Sequence, residues 1–147
     1  VKARSTMTLE HRDADSWGNG SFGASRAGGK RSHKGIDYCA DPGDEILSPA
    51  TGQVTKLGYP YAPKPSDKTT YRYVEITDYS GFRHRVFYIE PTVNTGLHVK
   101  EGDVIGIQQD IAEKYSTPHK VMKNHCHYEI LDLEDNPVDP EPSPEAA

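Results

Sequence analysis

From residue 36 onward, apolar positions come in short bursts, each cut off by Gly, Pro, Asp or Ser. The bursts at 36–39, 45–48, 52–57, 71–77, 83–89, 104–108 and 127–131 have the length and the Val, Ile and Tyr content of strands. Between them stand turn-forming tetrapeptides: Asp41-Pro42-Gly43-Asp44, Pro49-Ala50-Thr51-Gly52, Asp78-Tyr79-Ser80-Gly81 and Lys100-Glu101-Gly102-Asp103. Only 111–115 suggests a helix, one or two turns long. The expected fold is therefore mainly β: a single-domain antiparallel sheet sandwich or groove, with long loops and little helix. Residues 1–32 show neither a helical nor an alternating period, and five glycines with Trp17 and Phe22 suggest a long loop packed across the domain as one wall of a groove. The β domain is expected over 33–133, and 134–147 reads as a loose acidic, proline-rich tail.

Composition narrows the possible roles. A chain of 147 residues fits one domain, and its nine tyrosines and three phenylalanines supply a core although only 34% of residues are hydrophobic. No apolar run approaches the roughly 20 residues that span a bilayer. With a net charge of -5 and basic residues scattered except at Arg26, Lys30, Arg31 and Lys34, nucleic acid is a poor partner. That basic run, set among glycines and serines, reads as a solvated loop rather than a phosphate site. Cys39 and Cys126 allow at most one disulfide and leave the redox compartment open. The chain opens with Val, so the lack of an apolar leader leaves export open as well.

The chemistry lies in the histidine spacing. On an extended strand, His125 and His127 of Asn124-His125-Cys126-His127-Tyr128-Glu129-Ile130 leave the same face. Upstream, His33 and Asp37 are separated by Lys34-Gly35-Ile36, a spacing suited to a turn that enters a strand. Imidazole nitrogen and carboxylate oxygen suit zinc, and His33, Asp37 and His127 make a three-ligand set that leaves a fourth position open.

These residues resemble the lysostaphin-type zinc metallopeptidases, which cut peptide bridges in bacterial cell walls. The likeness covers roughly residues 20–140 and is carried by four segments: His33-Lys34-Gly35-Ile36-Asp37-Tyr38; Pro42-Gly43-Asp44-Glu45-Ile46-Leu47-Ser48-Pro49-Ala50-Thr51-Gly52-Gln53-Val54; Gly96-Leu97-His98-Val99-Lys100-Glu101-Gly102-Asp103-Val104-Ile105-Gly106; and His125-Cys126-His127-Tyr128-Glu129-Ile130. The resemblance implies one zinc held by His33, Asp37 and His127, with His125 acting in catalysis. One position departs from the family: a second catalytic histidine is expected in a Tyr-x-His-Leu segment, and Phe87-Tyr88-Ile89-Glu90-Pro91 puts Glu90 there. A similar Phe-Tyr-Ile-x-Pro segment occurs in the leukocyte cell-derived chemotaxins, which keep a zinc site and are regarded as non-catalytic.

The expected activity is zinc-dependent endopeptidase action on the peptide cross-links of peptidoglycan, by a monomer working in the bacterial cell wall or periplasm. A phage lytic enzyme is favoured over a processed exported one. Glu90 either orients and deprotonates the attacking water beside His125 or is a bystander next to a proline. If it is a bystander, zinc with His125 must suffice for hydrolysis; the alternative reading is a catalytically inactive zinc-containing binding module of the same fold. His84, six residues before Glu90 and on the same face by parity, stands about 20 Å away along an extended strand and cannot replace the missing histidine. Glu129 either accepts a hydrogen bond from a ligand imidazole or faces solvent. Cys39 and Cys126 are expected to pack, and His11, His98 and His119 to lie in loops. Tyr38, Tyr59, Tyr61, Tyr71, Tyr73 and Tyr88 either line the groove or pack. The groove walls are expected from the N-terminal loop, 59–68 and 110–123.

Overall fold

The computed structural model describes residues 25–26, 31–32, 35–118 and 122–140. In chain order these form β1 (Ser25–Arg26), β2 (Arg31–Ser32), β3 (Ile36–Cys39), β4 (Glu45–Leu47), β5 (Gly52–Gly58), β6 (Tyr73–Asp78), β7 (Arg83–Phe87), β8 (Ile89–Pro91), β9 (His98–Val99), β10 (Val104–Gln108), α1 (Ala112–Tyr115), β11 (His125–Leu131) and β12 (Pro137–Val138). Strands β1 and β2 pair with each other. A large sheet runs β12-β11-β7-β6-β5-β9, and β3 also pairs with β11; a small one runs β4-β10-β8. All pairings are antiparallel, as the bursts and turns predict.

Register sorts the large sheet into two faces, because directly paired residues point the same way. One set of cross-strand rows is Leu57–Val74–Val86–Tyr128–Ile36, followed by Val54–Ile76–His84–Ile130–Val138. These residues pack with Ile46, Ile89 and Ile105 of the small sheet, so the core lies between the two sheets. His84 is the polar member of this face. It is satisfied there by the Tyr128 hydroxyl at Nδ1 (2.7 Å) and by Asp78 at Nε2 (2.8 Å). The opposite face carries Gly58–Tyr73–Phe87–His127–Asp37 and, one row on, Lys56–Glu75–Arg85–Glu129. A bulge at Thr55 keeps both rows of β5 in phase and turns the Thr55 hydroxyl onto Glu75 (2.8 Å) and Thr77 (2.9 Å).

The turns form where the sequence places them. In the turn before β10, Asp103 N–H donates to the Lys100 carbonyl, the Asp103 carboxylate accepts from Lys100 N–H, and Gly102 takes the left-handed φ of 94°. Three expectations change. The strand expected over 83–89 is two strands, since Tyr88 adopts a left-handed φ of 72° and hands the chain from the large sheet to the small one. His84 and Glu90 therefore do not share a strand face. The stretch expected as a tail begins with β12, because Val138 and Pro140 bury themselves against the domain; residues 141–147 lie outside the described residues. Within the expected N-terminal loop, Ser25–Arg26 and Arg31–Ser32 form a strand pair, and the rest of 1–34 lies outside the described residues.

Two stability effects follow. Ile76 is fully enclosed at the middle of β6, so Ile76→Ala should cost about 2–5 kcal/mol by denaturant titration. Burial raises the carboxyl pKa of Glu75, but the hydrogen bonds from Arg85 and Thr55 and the charges of Arg85 and Arg83 outweigh it and hold the group below its ordinary value of 4.5; Lys56 lies opposite on β5. A depressed folded pKa gives stability that is present above the unfolded value and lost as pH falls through the folded one. The stability gap between the wild type and Glu75→Gln should be flat near neutral pH and close as pH falls below 4.5.

Candidate functional site

The second, polar face of the large sheet gathers the residues singled out by spacing. Asp37 on β3 lies directly across from His127 on β11, and Cys39 lies across from His125. His127 donates from Nδ1 to Asp37 Oδ1 at 2.9 Å and from Nε2 to Glu129 Oε1 at 3.0 Å. His125 Nε2 stands 3.6 Å from Asp37 Oδ2. Burial disfavours a charged His127, yet the hydrogen bonds and charges of Asp37 and Glu129 prevail and push its pKa up to about 9. A nearly enclosed imidazole held between two carboxylates is a place that attracts positive charge.

Local sequence creates the space. A Cβ on Gly35 would lie 2.3 Å from the Tyr128 carbonyl and 2.9 Å from His127 Cε1, so the residue between the two predicted ligands of the first motif must be glycine for the His127 ring to fit. Asn124 braces the other end: its amide donates to the Ala40 and Gln109 carbonyls, and its oxygen accepts from Ala112 N–H at the start of α1. His125 donates from Nδ1 to the Lys123 carbonyl (2.9 Å), which leaves Nε2 as the proton-accepting nitrogen of the neutral ring. Gln108 of the small sheet donates to the His125 carbonyl at 2.8 Å and so fixes β11 from beneath.

Beside His125 stands Tyr88, with ring centroids 5.7 Å apart and planes at 88°. Its unusual backbone is held by Tyr88 N–H donating to the Arg72 carbonyl and Gln109 N–H donating to the Tyr88 carbonyl. Burial pushes the Tyr88 hydroxyl up to about 12, so it stays protonated as a neutral donor. Tyr61 stacks on Tyr88, Tyr71 meets both edge-on, and the hydroxyls of Tyr61 and Tyr115 meet at 2.6 Å. Lys68 pairs with Glu113 at 2.8 Å. The two connections expected as groove walls, 59–68 and 110–123, are thereby tied to each other at the side of His125.

The structure brings Asp37, His125 and His127 together. His33 lies outside the described residues, as do His11 and His119. Among the described residues no three His, Cys, Asp or Glu side chains form a complete metal-binding group. Asp37 and His127 nevertheless fit a zinc site as members of a larger set: oxygen and nitrogen donors meet, and the far nitrogen of the imidazole is held by a carboxylate. Glu129, for which the sequence left two roles open, takes the hydrogen-bonding one. Glu90 is exposed on β8 of the small sheet and paired in register with Ile107. Cys126 is fully buried in the core, Cys39 shares the face of His125, and the two are not disulfide-bonded. His98 lies on β9, exposed. Of the tyrosines, Tyr38 is core, Tyr73 lies in the row of His127, Tyr59 is largely exposed, and Tyr61, Tyr71 and Tyr88 flank His125. No motif or spacing singles out Arg85, Gln108 or Tyr115, whose roles depend on cross-strand register and on the meeting of two loops.

The fold has known counterparts. The catalytic domain of the antimicrobial peptidase lysostaphin from Staphylococcus simulans is 19% identical, with a TM-score of 0.58 over 82% of this chain and 85% of that one. A mutant catalytic domain of the prophage-encoded M23 protein EnpA from Enterococcus faecalis is 21% identical at a TM-score of 0.57 over the same shares. A zinc containing peptidase from Vibrio cholerae is 21% identical at 0.58, over 97% of this chain but only 38% of that one. Against whole lysostaphin the chain spans about half the length, 53%. No curated protein matches the chain. Among the described residues no helix is long and apolar enough to cross a membrane. The model of peptidase family M23 matches residues 31–140, well over half of the sequence, and the chain therefore belongs to peptidase family M23.

Proposed function

We propose that this protein is a zinc-dependent endopeptidase that hydrolyses the peptide cross-links of bacterial peptidoglycan, acting in the cell wall or periplasm as a phage-encoded or exported lytic enzyme. The observation that carries this reading is the facing pair of Asp37 and His127 with His125 beside it, on the polar face of the large sheet in a chain of this family. His33, Asp37 and His127 would hold the zinc. When bound, the metal supplies Lewis-acid polarisation of the scissile carbonyl.

The remaining work falls to the chain. His125, with Nδ1 committed to the Lys123 carbonyl, takes and returns a proton at Nε2, as a general base and then as the acid for the leaving amine. Glu90 in this reading assists with the attacking water. The cluster of Tyr61, Tyr71 and Tyr88, its hydroxyls tied to one another, to Tyr115 and to the Asp110 carbonyl, forms a rigid aromatic wall beside His125, which suits a bridge built from glycine or other small residues. A second reading, an inactive zinc-containing binding module, is favoured by one observation: the side chain of Glu90 is exposed on the small sheet, while the residue lying against His125 is Tyr88.

Purified protein should carry one zinc per chain by metal analysis, and His127→Ala should lose it on dialysis; equal zinc in both would remove His127 from the ligand set. Digests of peptidoglycan should show new amino termini by mass spectrometry and none after chelation, whereas release of reducing sugars would show a glycosidase instead. If Glu90 acts as the base, Glu90→Gln should lower turnover by about 100-fold or more with zinc retained. Unchanged turnover makes Glu90 a bystander, and a zinc-loaded wild type that cuts nothing establishes the binding module.

A further inference from the structure

Resting on the zinc reading of the site, we propose that Glu129, Arg85 and Glu75 form a positioning chain that holds His127 with Nδ1 toward the metal position. The Glu129–Arg85 and Arg85–Glu75 links are adjacent pairs in one cross-strand row, and Glu129 lies two residues beyond His127 on β11. Glu129 accepts from His127 Nε2 through Oε1 (3.0 Å) and turns Oε2 toward Arg85 Nη1 (3.8 Å). Arg85 donates from Nε to Glu75 Oε2 (2.8 Å), and Glu75 Oε1 accepts from Thr55. Arg85 also lies over the Tyr73 ring, 5.5 Å from its centroid, which further limits its freedom.

The two oxygens of Glu129 are thus assigned to different partners. A carboxylate hydrogen-bonded to His127 through one oxygen and drawn toward the Arg85 guanidinium through the other is biased against swinging round to compete with Asp37 as a ligand. It remains an acceptor for Nε2–H, and Nδ1, which already faces Asp37, is the nitrogen left to bind metal. Glu75, 5% exposed and bound on both oxygens, is the fixed end of the chain. Arg85 transmits that fixity to a carboxylate it does not fully neutralise.

The arrangement makes a prediction opposite in sign to that of simple charge. If Arg85 mattered only as a positive charge near a dication site, its removal would tighten zinc binding, and Arg85→Lys would change nothing. A positioning role requires both Arg85→Gln and Arg85→Lys to weaken it, because neither replaces the guanidinium fork between two carboxylates. The experiment titrates zinc into the full chain against a chromophoric chelator, with thermal melts to confirm folding. Glu129→Ala should lose about 10–100-fold in zinc affinity, and both Arg85 variants should lose several-fold or more. Arg85→Lys is the variant that keeps charge and most of the packing, so a folding defect in Arg85→Gln does not blunt the test. Affinity equal to or above wild type in folded Arg85→Lys overturns the proposal. Nitrogen NMR of the metal-free protein separates it from the zinc reading: a wild type that takes up no zinc ends that reading, while the Nε2–H signature of His127 decides the chain. Its loss or shift in Arg85→Lys supports the chain, and an unchanged signal overturns it.

Discussion

Three carboxylates lie on one face of the large sheet, each mostly withdrawn from water, and the site depends on how they are balanced. Asp37, Glu75 and Glu129 cannot stay ionised in such surroundings without partners, since an unpaired buried charge costs several kcal/mol. Arg85 answers part of that charge, and the ring nitrogens of His127, between Asp37 and Glu129, answer another part. Two faces of a single sheet therefore hold opposite solutions to burial. One excludes polar groups almost completely, and the other gathers them into rows such as Lys56–Glu75–Arg85–Glu129, where opposite charges alternate across the strands.

This division assigns separate tasks to the two sheets. The small sheet seals the apolar face and reaches the site through Gln108, which grips the backbone of His125 from below. The large sheet supplies the reactive side chains from adjacent strands that are far apart in sequence, β3 and β11. Tyr88 is where the two sheets meet along the chain. A single residue with positive φ lets β7 end against β11 and β8 begin against β10. Backbone strain of this kind is sustained only where surrounding hydrogen bonds over-determine the conformation, and four such bonds converge on the peptide groups beside Tyr88.

Much of this was legible in the sequence. The turn tetrapeptides and short apolar bursts gave the β class and most strand positions, because antiparallel hairpins are encoded locally. The parity of His125 and His127 gave their shared face for the same reason. Tyr88 was illegible: nothing in Phe87-Tyr88-Ile89-Glu90 marks a left-handed residue, and an assumption of regular extension carried parity through to Glu90. Arg85 was hidden differently, since its meaning lies in Glu75 and Glu129 on neighbouring strands, and register between strands is a global property. Val138 escaped notice because two apolar residues in an acidic stretch are too weak a pattern to show a strand.

The position of that last strand has a consequence for the strand that bears the histidines. β7 covers one side of β11, while β3 and β12 share the other, β3 alongside His125 to Tyr128 and β12 alongside Ile130 and Leu131. The His-x-His strand is thus an interior strand over nearly all its length, although its outer neighbours come from opposite ends of the described chain. Open strand edges recruit other chains, and here the two edge-closing segments are four and two residues long. Loss of the segment from residue 137 onward would strip Val138 and Pro140 from the domain and bare the Ile130–Leu131 end of β11, turning the scaffold of the site into a template for self-association.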